Sequence, residues 1–291
     1  MNKLKDGFYT ALGTPLNENG EIVAESLAKE INMQITAGAS GVLLMGSMGM
    51  EASVPDKAYV EAVRAASEAV AGRAPLFVGA MDNSVQRVLE RIEKIKEFDF
   101  TAAVVTTPFY FACGEAELNN FFEQIADKSP KPIFLYDLPV VTKCKITYPM
   151  IERLSKHKNI KGIKSGDMVL GRLIKRNIPD FEVLYSNIDN FDAAISFGLN
   201  KVLDGMFSAT PKNAKLFIEN ALSGDIEKSG EYLDNILRLR DTYIKYGVMQ
   251  AFTASMNRLG MDGNFAPDYF GVVCDEGKAD VEKVMKAIGE I

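Results

Sequence analysis

Along the chain, short apolar runs alternate with stretches in which apolar residues recur every three or four positions. The runs occupy residues 8–12, 41–45, 75–79, 102–106, 132–136, 160–163, 182–186 and 201–204. Each is nearly continuous in apolar side chains and closes on glycine, proline or a polar turn. That is the signature of a strand buried on both faces, as in a parallel sheet. Between the runs, Leu27, Ile31 and Ile35 share one helical face, as do Tyr59, Val63, Ala66 and Val70. The cleanest helix begins at the N-cap Ser84 and carries Val85, Val88, Leu89, Ile92 and Ile95. Further helices are expected near 118–126, 150–154 and 191–197. Eight strand units within residues 1–210 predict an α/β fold of the (β/α)8 TIM-barrel type rather than an open doubly wound sheet. Beyond Pro211 only helical periodicity remains, at 214–221, 226–246, 249–259 and 281–288. Residues 211–291 therefore read as a C-terminal helical extension packed on the barrel.

In such a barrel the chemistry sits at the C-terminal ends of the strands. Those positions offer Thr14, Ser47, Thr106, Thr107, Tyr110, Tyr136, Lys164, Ser186, Asn187 and Ser208. Lys164 stands out because it ends the apolar run 160–163, and an apolar wall disfavours an ammonium ion and frees its lone pair. The inventory holds an amine, phenols and hydroxyls, with neither a carboxylate cluster nor a thiol pair. With one histidine and three scattered cysteines, no metal site and no Ser-His-Asp triad is expected. Imine chemistry fits this set: a lysine condenses with a 2-oxo group, and the protonated imine accepts electrons from the adjacent C–C bond. A nearby tyrosine can carry protons. The turn Gly46-Ser47-Met48-Gly49 can present backbone N–H groups to a carboxylate. On residue type alone, Tyr136 reads equally as a core tyrosine, Tyr110 as an interface aromatic between Phe109 and Phe111, and Ser208 as a loop serine.

Composition narrows the partners. The 291 residues are 47% hydrophobic and 25% charged, as in a globular protein with a large core, and the net charge of -6 disfavours nucleic acid or an anionic membrane. The N-terminus lacks the apolar stretch of a signal peptide, and no apolar run approaches the ~18 residues of a membrane span. A cytoplasmic location is expected.

Taken together, Gly46-Ser47-Met48-Gly49, Thr107-Pro108-Phe109-Tyr110, Tyr136-Asp137-Leu138-Pro139 and Gly162-Ile163-Lys164 resemble the dihydrodipicolinate synthase/N-acetylneuraminate lyase family in order and spacing. The resemblance implies a class I aldolase that uses no cofactor beyond a covalent lysine imine to pyruvate. It implies that Lys164 forms the imine, that Tyr136 shuttles protons, and that Ser47 serves the relay and the carboxylate site together with Gly46, Met48 and Gly49. It implies further that Tyr110 reaches into a neighbouring subunit of a homodimer or homotetramer, and that Ser208 belongs to the site. Several positions depart from the family pattern. Met48 replaces the second hydroxyl of the turn, and Met50 the usual glutamate. Asp137 stands where Asn is common, and Val141 where synthases carry an arginine for the second substrate's carboxylate. Asn187 narrows the pocket, and Asp189 matches an acid that lyases use on substrate hydroxyls. The expected function is cleavage or formation of a 2-oxo-3-deoxy acid, of the sugar-acid or sialic-acid type, through pyruvate and an aldehyde. Dihydrodipicolinate synthase activity is the alternative within this chemistry, and a non-catalytic binder of 2-oxo acids the alternative outside it.

Overall fold

The computed structural model describes residues 3–291. Eight parallel strands close into a barrel in sequence order: β1 (Gly7–Ala11), β2 (Gly41–Leu44), β3 (Leu76–Gly79), β4 (Ala102–Thr106), β5 (Ile133–Asp137), β6 (Ile160–Ser165), β7 (Glu182–Tyr185) and β8 (Lys201–Asp204). β1 pairs with both β2 and β8, so the sheet has no edge. The (β/α)8 barrel expected from the apolar runs is the fold observed.

Period-2 alternation divides each strand between two cores. Inward-pointing Tyr9, Leu43, Phe77, Val104, Phe134, Leu184 and Leu203 fill the barrel. Their neighbours Phe8, Val42, Val78, Val105, Leu135, Ile163 and Val202 face the helices. Inside, the Tyr9, Phe77 and Phe134 rings meet edge to face, with centroids 6.4 and 5.0 Å apart. The Phe134 ring can lie there because residue 162 is glycine: a Cβ would come within 2.4 Å of it and 2.5 Å of the Glu182 carbonyl. Gly162→Ala is therefore expected to cost about 1–3 kcal/mol through overpacking. Chemical denaturation checks this, and an unchanged midpoint would mean the ring has room to move.

The helical shell comprises α1 (Ala24–Ala37), α2 (Asp56–Val70), α3 (Val85–Ile95), α4 (Glu115–Lys128), α5 (Pro139–Thr142), α6 (Tyr148–Leu154), α7 (Met168–Asn177) and α8 (Phe191–Ser196). It continues as α9 (Pro211–Ser223), α10 (Ile226–Tyr246), α11 (Val248–Arg258) and α12 (Asp275–Ala287). Ser84 caps α3, its Oγ accepting the Arg87 N–H at 3.3 Å. Two helices were not anticipated, the single turn α5 and the longer α7, whose N-terminus is capped by Asp167 accepting the Leu170 N–H at 2.9 Å. After Pro211 the chain is helical, as expected. α9 packs on β1, α1 and α8 and so completes the barrel's own shell, whereas α10 packs on α9, α11 and α12. Among the described residues no helix is long and apolar enough to cross a membrane.

One buried acid ties α1 to the barrel. Glu30 Oε1 accepts the Gly13 N–H at 2.9 Å and the Ser208 hydroxyl at 2.7 Å, while Oε2 has no partner. Burial pushes this carboxyl up to about 7, against the pull of its Ser208 and Gly13 hydrogen bonds. The folded state then holds a proton that the unfolded chain releases. The contribution to stability is complete below about pH 4.5 and is lost as the pH rises to about 7, on the order of 3 kcal/mol. Glu30→Gln keeps the acceptor oxygen without the charge. Its melting temperature relative to wild type is expected to rise between pH 5 and 7, and parallel curves would contradict the assignment.

Candidate active site

Two adjacent strands place the central pair. Tyr136 on β5 and Lys164 on β6 are direct partners in the sheet register, and both point inward. The Lys164 Nζ donates to the Tyr136 hydroxyl at 2.8 Å and lies 4.0 Å from the centre of its ring. Lys164 is only 4% exposed. From the turn after β2, the Ser47 Oγ lies 3.3 Å from the same tyrosine hydroxyl. An amine, a phenol and an alcohol thus form one continuous chain across three strand ends. Such a chain can pass a proton between an attacking amine and a reacting carbon.

The turn that carries Ser47 is held in a strained shape. Met45 and Met50 flank it in left-handed backbone conformations, with φ of 56° and 55°, which is uncommon for residues other than glycine. Gly49 is required where the chain doubles back, since a Cβ would lie 2.9 Å from the Met45 nitrogen. Thr14 holds the turn by donating to the Gly49 carbonyl at 2.7 Å. Among the described residues, the N–H groups of Ser47, Met48 and Gly49 donate to no other protein group, which leaves them available to an anion. Met48 packs over the inner core together with Leu138, and its side chain fills the space against Gly205. Position 50 carries no carboxylate, yet the turn does: the next residue, Glu51, is 1% exposed. Its Oε1 accepts the Met81 N–H at 2.7 Å, and Oε2 has no partner. Burial pushes the Glu51 carboxyl well above the usual carboxylate range, despite the opposing charge of Arg91.

The departure at Asp137 has a structural reason. Its carboxylate forms an ion pair with Lys145, accepts the Ser165 hydroxyl at 2.8 Å and accepts the Ile146 N–H at 3.0 Å. Lys145 also reaches Asp167, 3.2 Å away. An asparagine could not balance that lysine. The network fastens the segment after β5 to the start of α7 and so braces both Tyr136 and Lys164. Thr107 does similar work, donating to the Thr142 hydroxyl at 2.7 Å across the segments after β4 and β5.

Two chambers share Leu138 as a wall, and one of them is lined by the tyrosine. One, of about 390 Å³, is lined by Tyr136, Asp137, Lys145, Asp167, Ser186 and Asn187 among others. The other, of about 220 Å³, reaches Ser47 and has Val141, Phe109 and Met249 in its walls. A larger cavity, of about 570 Å³, lies between α11 and α12 and includes none of the three linked side chains.

Not every expected residue joins them. The Ser208 hydroxyl is fully buried and bound to Glu30 and the Ala11 carbonyl, so it braces the barrel wall. It lines neither of the two chambers. Asp189 is paired at 2.8 Å with Arg240 of α10, so its carboxylate already has a cation. Tyr110 is 79% exposed and stacks edge to face on Phe111, its backbone N–H held by Asn83 Oδ1 at 3.0 Å. It lies outside the amine–phenol–alcohol chain. Lys145, Glu51 and Arg240 were not anticipated, because their partners lie on other loops or helices and leave no local pattern. Among the described residues no group of three metal-ligating side chains comes together.

Comparison with known proteins agrees with this geometry. The family model for the dihydrodipicolinate synthetase family matches residues 4–288. A 4-hydroxy-tetrahydrodipicolinate synthase from Exiguobacterium sp. is 29% identical, over 81% of each chain. Another, from Methanosphaera stadtmanae, is 25% identical over 97% of each. Among solved structures, YagE, a prophage protein of the dihydrodipicolinic acid synthase family from E. coli K12 in complex with pyruvate, superposes with a TM-score of 0.89 at 21% identity. That match covers 98% of this chain and 99% of YagE. Dihydrodipicolinate synthase from Thermotoga maritima gives 0.90 at 23% identity, over 99% of this chain and all of its own. These two likenesses establish the fold, and the family match extends from the first strand to the last helix. The chain belongs to the dihydrodipicolinate synthetase family and is an enzyme of its pyruvate-dependent, lysine-imine lyase and aldolase class.

Proposed function

We propose that the chain is a class I aldolase that cleaves or forms a 2-oxo-3-deoxy acid, with pyruvate as one product and an aldehyde as the other. The observation that carries this reading is the unbroken chain from Lys164 through Tyr136 to Ser47. Lys164 Nζ attacks the 2-oxo carbon, and water leaves to give the imine. The carboxylate rests on the free N–H groups of the turn 47–49. In cleavage, Tyr136 takes the proton from the C4 hydroxyl as the C3–C4 bond breaks, and Ser47 orients the phenol. The electron pair of that bond moves to C3 and the imine nitrogen, giving an enamine. Protonation at C3 and hydrolysis then release pyruvate and restore the amine. Tyr110 of a second copy is proposed to complete the relay, in a homodimer or homotetramer. Reduction with borohydride in the presence of pyruvate, followed by peptide mapping, is expected to place the adduct on Lys164. An adduct on another lysine, or none, would refute the assignment.

A second reading, 4-hydroxy-tetrahydrodipicolinate synthase, is favoured by the names of the curated relatives. Val141 argues against it: a synthase needs a cation for the second substrate's carboxylate, and an exposed valine supplies none. The sugar-acid and sialic-acid variants rest on Asp189, whose carboxylate is engaged by Arg240.

A further inference from the structure

The chamber beside Ser47 has a composition that speaks to the aldehyde half of the substrate. Its walls include Met50, Met81, Leu138, Val141, Met249 and Phe270, and no lysine or arginine lines it. Two buried polar atoms in its lining have no partner, Thr106 Oγ1 and Glu51 Oε2. The chamber reaches the site through Ser47 in its wall, whose Oγ lies 3.3 Å from the Tyr136 hydroxyl. Resting on the aldolase reading above, we infer that this chamber holds the aldehyde portion, and that its occupant is a neutral, mainly hydrocarbon aldehyde about the size of one substituted ring.

Size, charge and polarity each support that class. An apolar cavity of about 150 Å³ takes up a benzene ring, and this one measures about 220 Å³. A carboxylate placed here would lose its hydration with no cation to replace it, and would face Glu51. A polyol would bring several hydroxyls to a mainly apolar wall, where they would lose water without partners to replace it. The neighbouring polar chamber is a poorer seat, because Asp137, Lys145 and Asp167 already bind one another. In the condensing direction, C3 of the pyruvate enamine adds to the aldehyde carbon. The aldehyde oxygen takes a proton from Tyr136, and hydrolysis of the imine releases a 4-hydroxy-2-oxo acid.

The test measures pyruvate consumption by the full-length protein with benzaldehyde, 3-methylbutanal, glyceraldehyde and succinic semialdehyde. The apolar pair is expected to exceed the other two in kcat/KM by on the order of 10–200-fold, the discrimination a hydrocarbon-lined pocket can supply. Val141→Arg brings a cation to the chamber and is expected to shift the preference toward succinic semialdehyde by about tenfold or more. Intact mass after borohydride and pyruvate is read on both proteins. A wild-type adduct with preference for glyceraldehyde or succinic semialdehyde overturns the inference and leaves the aldolase reading standing. So does an adduct-forming Val141→Arg protein whose preference does not move. Absence of any wild-type adduct overturns the aldolase reading, and this inference with it.

Discussion

Replacing Lys164 by alanine is expected to abolish the pyruvate adduct and lower turnover by about 10⁴-fold or more, the scale seen when a covalent nucleophile is removed. On the proposed mechanism the amine is the group that bonds the 2-oxo carbon. It is buried, it is held at 2.8 Å by Tyr136, and the floor beneath it is packed with aromatic rings. The variant leaves a small space at the top of the inner core, so folding is to be verified by thermal melting before the rate is interpreted. A folded Lys164→Ala protein that retains turnover within tenfold would remove the imine from the mechanism.

Tyr136→Phe is expected to lower kcat by about 10²–10⁴-fold while leaving KM for pyruvate little changed, because it removes proton transfer and not binding. The ring stays against the Lys164 amine and only the hydroxyl is lost. The trapped adduct should still form, more slowly, since water can supply the protons for condensation. Ser47→Ala, which touches only the phenol, should cost less. If Tyr136→Phe instead raises KM with kcat intact, the hydroxyl is a binding group and the relay is misassigned.

Much of this architecture can be read from residues alone, for a definite reason. A parallel strand covered on both faces must be apolar throughout, so the eight runs announce themselves, and their order along the chain is also their order around the barrel. α7 escaped because Asp167, its cap, reads equally well as part of a polar turn, and Gly171 interrupts its periodicity. At the mouth, strand position tells which residue arrives and not which way it turns. Lys164 and Tyr136 arrive inward on the same pleat as Gly162 and Phe134, so their meeting follows from alternation. Ser208 lies in a one-turn 3₁₀ segment, Met206–Ser208, beyond β8, where alternation no longer applies, and it turns to Glu30. Asp189 reads as free because its cation, Arg240, is supplied by α10, far along the chain. The pairing of Asp137 with Lys145 is likewise visible only once the segment after β5 has folded back on itself.

The edge-to-face rings of Tyr9, Phe77 and Phe134 plug the barrel one layer below Tyr136 and Lys164. On the aldolase proposal both reactants would then come and go by way of the strand ends that carry Ser47, Tyr136 and Lys164. Because the aldehyde parts from the enamine before the imine is hydrolysed, pyruvate would be the last product to leave.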